Sequence, residues 1–126
     1  MKKILFSESA AKPVGPYSQA VSYGDLIFTS GQIAFDVNGN LTSDNVEGQT
    51  EKVIENLRSI LNDNGSSLDN VIKTSVFLKD MNDFMKMNEV YAVHFGKSLP
   101  ARSTVEVSRL PKDVLVEIEV IAFKNK

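Results

Sequence analysis

The chain contains no cysteine. Disulfides, thiolate nucleophiles and cysteine-based metal sites are therefore excluded, and the composition fits a reducing compartment. Histidine occurs once, at His94. A metal site needs several His, Asp or Glu ligands at suitable spacing, and no such cluster accompanies His94, which reads as structural or solvent-facing. Long apolar runs are also missing. The N-terminal stretch "MKKILF" offers only Ile4, Leu5 and Phe6, short of the roughly 7–15 apolar residues of a signal peptide. No run approaches the ~20 residues that span a bilayer. A cytoplasmic protein with no membrane partner is the expectation. Basic clusters are scarce too: none is longer than Lys2-Lys3, and the formal net charge is -2. No nucleic-acid partner is expected from that balance. Neither a G-x-G-x-x-G fingerprint nor a P-loop occurs, so no nucleotide cofactor is implied.

What is present fits one domain over residues 1–126. Hydrophobic residues make up 42% and charged residues 24%, ordinary values that set aside a disordered or low-complexity reading. "AAKPVGPYSQ" starts as a loop, since it holds two prolines and a glycine. "QAVSYG" and "LIFTSGQIAF" flank Gly24-Asp25 and read as a hairpin. Asn38-Gly39 marks a further turn. From about Asp44 to Asn64 the apolar period becomes helical, through Val46, Thr50, Val53, Ile54, Leu57, Ile60 and Leu61. Ser43 or Asp44 is the expected cap and Gly65 suits the helix exit. "NVIKTSVFLKD" is a strand of β-branched residues. Asp80 or Asn82 opens a second helix with Phe84, Met87, Tyr91 and Phe95 on one stripe, ended by Gly96 and Pro100. "RSTVEVSRL" and "VLVEIEVIAF" are strands joined by "PKD". The order ββ(β)-α-β-α-ββ predicts an α+β fold, a mixed sheet with two helices packed on one face.

The last two strands hold the main candidates. If they pair as a hairpin, alternation places Val105, Val107, Val116, Ile118, Val120 and Ala122 on one face. Arg102, Thr104, Glu106, Leu115, Glu117, Glu119 and Ile121 then share the other. That second face mixes charge with apolar residues, and one account is a partner subunit that partly covers it. Arg102 beside Glu117 is either a surface ion pair, worth ~0–1 kcal/mol, or a carboxylate-binding arginine next to a base. Arginine suits the second role because its planar fork binds a carboxylate through two hydrogen bonds. Ser30 and Gly31 sit at a strand bend; the residues allow an anion contact or an ordinary β-bulge. Without a nearby histidine, Ser30 is a poor nucleophile.

Taken together, "GPYSQAV", "TSGQIA", "DFMKMNEVYAVHF" and "PARSTVEVSRLPKDVLVEIEVIA" resemble the RidA (YjgF-type) family of reactive-intermediate imine/enamine deaminases, from near the N-terminus to the last strand. The resemblance implies a chorismate-mutase-like fold and a homotrimer with pockets between subunits. It implies hydrolysis of 2-aminoacrylate and related imino acids, made by pyridoxal-phosphate-dependent dehydratases, to 2-keto acids and ammonia (a 2-iminobutanoate/2-iminopropanoate deaminase), with no cofactor. Residue by residue, it implies that Arg102 binds the substrate carboxylate and Glu117 orients or activates water. Tyr17, Ser30, Gly31, Asn88, Tyr91 and Thr104 are implied to line the pocket. The chain departs from many relatives at Thr104, where they carry cysteine, and at Ala34, where they carry proline. Two other readings stay open: a small 2-keto-acid-binding or regulatory protein without turnover, which needs only the arginine, and an RNA-acting protein, which the charge balance does not favour.

Overall fold

Gly24, at φ +59, turns the chain between two short strands, β2 (Ala20–Tyr23) and β3 (Leu26–Thr29), which pair antiparallel as expected. The structure, a computed structural model, describes residues 1–126. A three-residue strand, β1 (Lys3–Leu5), pairs with β2; its brevity leaves no pattern for sequence reading to find. The Asn38-Gly39 turn also forms, closed by the Gly39 N–H on the Asp36 carbonyl. Beyond it, pairing is limited to an isolated bridge between Phe35 and Leu41.

Helix α1 (Val46–Asn62) is capped by Asn45, one residue beyond the expected Ser43 or Asp44. The Asn45 side chain accepts from the Gly48 N–H at 2.8 Å, satisfying one of the free donors of the first turn. Its apolar stripe of Val53, Ile54, Leu57, Ile60 and Leu61 is fully buried. Strand β4 (Val71–Leu78) follows. Asp80 then caps a 3₁₀ turn, Met81–Asp83, that leads into helix α2 (Phe84–Phe95). Met87, Tyr91 and Phe95 of α2 are buried, and Phe84 packs partly against the same core. Strands β5 (Ala101–Glu106) and β6 (Val116–Phe123) complete a mixed six-stranded sheet of order β1-β2-β3-β6-β4-β5.

That order overturns one expectation. β5 and β6 are not a hairpin, because β4 lies between them, antiparallel to β6 and parallel to β5. A parallel pair needs a crossover, and α2 supplies it. The register also reverses the faces of β5. Thr74 is opposite both Arg102 and Val120, and Val76 is opposite both Thr104 and Ile118. Residues directly across a ladder point the same way, so Arg102 and Thr104 belong to the helix-covered face. Phe77 is opposite both Val105 and Glu117, on the open face. Alternation assigns faces within one strand but cannot phase two strands that do not touch. Leu115 likewise leaves the Glu117 face. It precedes β6 and packs against the core.

The open face stays apolar and uncovered. Ile4, Tyr23, Leu26, Phe28, Val105 and Phe123 are all exposed there, Tyr23 at 66%. The expected covering partner thus has a surface to cover, although Val105 rather than Leu115 contributes to it. No helix is long and apolar enough to cross a membrane.

Candidate functional site

Arg102 lies on β5, an edge strand of the sheet. Its guanidinium carbon sits 4.6 Å from the Tyr91 ring centroid and 5.4 Å from that of Phe84. One N–H donates to the Asn88 side-chain carbonyl at 2.7 Å. Phe84, Asn88 and Tyr91 are i, i+4 and i+7 on α2, so helical geometry alone aligns them on one side. Both rings lie within cation–π reach of the planar cation, and the amide accepts one of its N–H groups. No carboxylate lies within ion-pair distance of Arg102, which removes the surface ion pair with Glu117 that sequence had left open. Asn88, Tyr91 and Arg102 line a cavity of about 410 Å³ together with Phe95, Leu99 and Pro100. Tyr91 is itself anchored by a 2.8 Å bond to the Thr74 hydroxyl. Burial pushes its phenol pKa up, against the lowering effects of Thr74 and Arg102.

Thr104, two residues along, faces the same side of the sheet. Its hydroxyl oxygen is buried and makes no hydrogen bond. A buried hydroxyl without a partner is costly, typically ~1–3 kcal/mol.

Glu117 is half-buried on the other face. Burial raises its carboxyl pKa above the ordinary range, and the neighbouring Glu119 adds to the rise. Gly31 lies against it: a Cβ on Gly31 would stand 2.6 Å from the Glu117 Oε2 atom. A side chain at this position would push the Glu117 carboxylate aside. Gln32, the next residue, bridges to Ile118 through two backbone hydrogen bonds, of 2.8 and 3.2 Å, which fixes the Gly31 segment beside β6. Ser30 donates its hydroxyl to the Ser18 carbonyl, tying the bend to the Tyr17 loop. Tyr17 is exposed, and its phenol oxygen accepts from the Val14 N–H at 3.3 Å. Tyr17 and Gly31 line a second cavity of about 400 Å³.

The eight expected residues therefore form two groups. Arg102, Thr104, Asn88 and Tyr91 gather on the helix side at the β5 edge. Glu117, Gly31, Ser30 and Tyr17 belong to β6, the segment that follows β3 and the loop that precedes β2. Within one chain the groups lie on opposite faces of the sheet, with β4 between their strands. Phe84 is not among the expected site residues; its spacing from Asn88 and Tyr91 on the helix stripe is the signal for its place against Arg102. His94 is structural rather than solvent-facing. Its ring joins the two helices, with Nε2 2.7 Å from Glu51 and Nδ1 2.8 Å from Arg58.

Comparison with known proteins agrees over nearly the whole chain. The family model described as endoribonuclease L-PSP matches residues 7–124. A RutC family protein of Pyrococcus horikoshii is 57% identical, over 99% of this chain and 100% of the relative. The 2-iminobutanoate/2-iminopropanoate deaminase of Salmonella typhimurium is 41% identical, over 99% of this chain and 100% of the relative. Among solved structures, the Escherichia coli YjgF gene product superposes with a TM-score of 0.92 at 40% identity, covering 98% of this chain and 99% of that one. The Escherichia coli TdcF protein, crystallised with bound serine, gives 0.91 at 41% identity with the same coverage.

Proposed function

The chain belongs to the endoribonuclease L-PSP (YjgF/RidA) family, with its chorismate-mutase-like fold, and from that premise we propose that it hydrolyses small 2-imino acids to 2-keto acids and ammonia. One observation carries this reading. Arg102 is a half-buried guanidinium set against the rings of Tyr91 and Phe84, with one N–H committed to Asn88 and no carboxylate partner. Such a group is prepared for an external carboxylate, bound by charge-assisted hydrogen bonds of ~1.5–3 kcal/mol. The named activity of the Salmonella relative and the serine bound to TdcF, itself a small carboxylate, support the same direction.

The chemistry asks little beyond positioning and one base. Water adds to the imine carbon, C2, and Glu117 takes its proton. The resulting carbinolamine receives a proton on nitrogen, the C–N bond breaks, and ammonia leaves as the C2 carbonyl forms. Burial of Glu117 supports the base role, since a raised carboxyl pKa holds a proton more readily near neutral pH. Thr104 supplies the unpaired hydroxyl on the Arg102 side and Tyr17, Ser30 and the Gly31 backbone the wall on the Glu117 side.

No single substrate of a few atoms reaches Arg102 and Glu117 of one chain, because they lie on opposite faces of its sheet. The active unit is therefore proposed to be a homotrimer in which each pocket takes Arg102 from one copy and Glu117 from the next. The uncovered apolar face supplies the contact surface. Sedimentation measurements check the assembly. For the activity, keto-acid release is followed when a dehydratase generates 2-aminoacrylate in the presence of the protein. Acceleration that disappears in Arg102→Ala is expected; full activity in that variant would sink the assignment.

A further inference from the structure

The 400 Å³ cavity beside Gly31 is larger than a three-carbon substrate needs, and two lysines stand on its lining. Lys12 and Lys112 both line it. Neither ammonium forms an ion pair. The Lys112 Nζ atom rests 5.0 Å from the centroid of Phe35, another wall residue, so the ring face holds the cation at the cavity. Asp36 is the only carboxylate on the wall. Its Oδ1 atom accepts the Asn38 and Asn40 N–H groups at 2.9 and 3.0 Å, which commits it to the turn. The Lys112 backbone is left-handed, at φ 55 and ψ 23, and Asp113 follows at φ 56. Two successive non-glycine residues in that region are uncommon, and such strain collects where a side chain must be aimed. Arg109 holds the strained turn through a 3.0 Å bond to Asp113.

We infer that this cavity receives the far end of the substrate and that the preferred substrates carry a second anionic group there, as in dicarboxylic 2-imino acids. The inference rests on the reading above for the first carboxylate and the imine. With C2 held beside Glu117, the side chain runs past Gly31, which touches Glu117 and also lines the cavity. A carboxylate two or three carbons on then meets Lys112, with Lys12 on the same wall. An apolar side chain of equal length leaves both cations unpaired.

The test separates ligand class from turnover. Calorimetry with 2-oxoglutarate and with 2-oxopentanoate, equal in chain length, is expected to give the dicarboxylate an advantage of about tenfold or more in Kd. In Lys112→Met the ratio of the two affinities is expected to fall toward one, with Lys12→Met producing a smaller fall. Equal affinities in the unmodified protein, or an advantage that survives in the Lys12/Lys112 double variant, would overturn the inference. In a parallel arm, an amino-acid oxidase generates the imines of glutamate and norvaline and keto-acid release is measured. Hydrolysis of the norvaline imine with no gain for the glutamate imine overturns the inference and leaves the deaminase reading standing. A dicarboxylate advantage in binding with neither imine hydrolysed supports the lysine contact to the second anionic group but removes the deaminase reading, and with it the claim that such acids are substrates.

Discussion

If each pocket draws on two copies, two dead chains can restore one another. Arg102→Ala retains Glu117, and Glu117→Gln retains Arg102. Loss of the charge-assisted contacts at Arg102, ~1.5–3 kcal/mol, lowers kcat/KM by about 10–150-fold in the first variant. The second lacks its base and is expected to fall by a factor on the order of 10²–10⁴. When the two chains assort randomly in equal amounts, a pocket is intact when its arginine donor is of the second kind and its glutamate donor of the first. In a closed cyclic assembly each condition holds half the time, so about a quarter of wild-type activity returns in the unselected pool, and about a third in purified mixed trimers, where one pocket in three is intact. That signal stands well above either parent. The assay is co-expression with two affinity tags, tandem purification of mixed assemblies, and keto-acid release with a dehydratase. The structural basis is the opposition of Arg102 and Glu117 across the sheet. Mixed assemblies no more active than the mean of their parents would refute it and place both residues in one chain's site.

Gly31→Ala is expected to displace the Glu117 carboxylate, given the 2.6 Å approach a Cβ would make to it; turnover should fall sharply while calorimetric binding of a 2-keto acid persists. Asn88→Ala frees the Arg102 fork from its 2.7 Å acceptor and should raise KM several-fold with a smaller effect on kcat, a split that steady-state kinetics reads directly. Glu117 has a folded pKa raised above its unfolded value by burial, so the folded state binds the proton more tightly and stability is lost as pH rises from the ordinary carboxylate range through the raised value. Glu117→Gln should therefore have the higher Tm at neutral pH, with the advantage vanishing below about pH 4, as calorimetric scans across pH would record. Thr104→Val removes a buried, unpartnered hydroxyl and should raise Tm by a few degrees, from about 1 kcal/mol; a lower Tm would mean that the hydroxyl is satisfied.

Local features were legible in the sequence because their causes are local. Gly24-Asp25 specifies its hairpin, and the stripes of α1 and α2 follow from a period that one helix imposes on itself. What failed was relational. The alternation along β5 is legible as alternation, yet its phase depends on a neighbour 28 residues upstream that no short pattern names. Once β4 intervenes, Arg102 and Glu117 separate, although each residue had been singled out. Asn88 and Tyr91 came from family resemblance, and the structure gives their physical reason in the helix face that flanks Arg102. Lys112 was invisible, because nothing in "PKD" reveals a left-handed backbone.

The strand order has a further consequence, for how the chain reaches this state. β1, β2 and β3 form one ribbon and β4 with β5 another, and no ladder joins the two. β6 alone bonds to both, through β3 and β4. It follows the other five in sequence, so a nascent chain holds two incomplete ribbons until its final strand emerges from the ribosome. Such long-range closure comes late and slowly in folding. Glu117 rides on the closing strand. Proteolysis or translational arrest before β6 therefore yields fragments that carry Arg102 on a loose edge but lack Glu117, and chaperones would meet an exposed half-sheet.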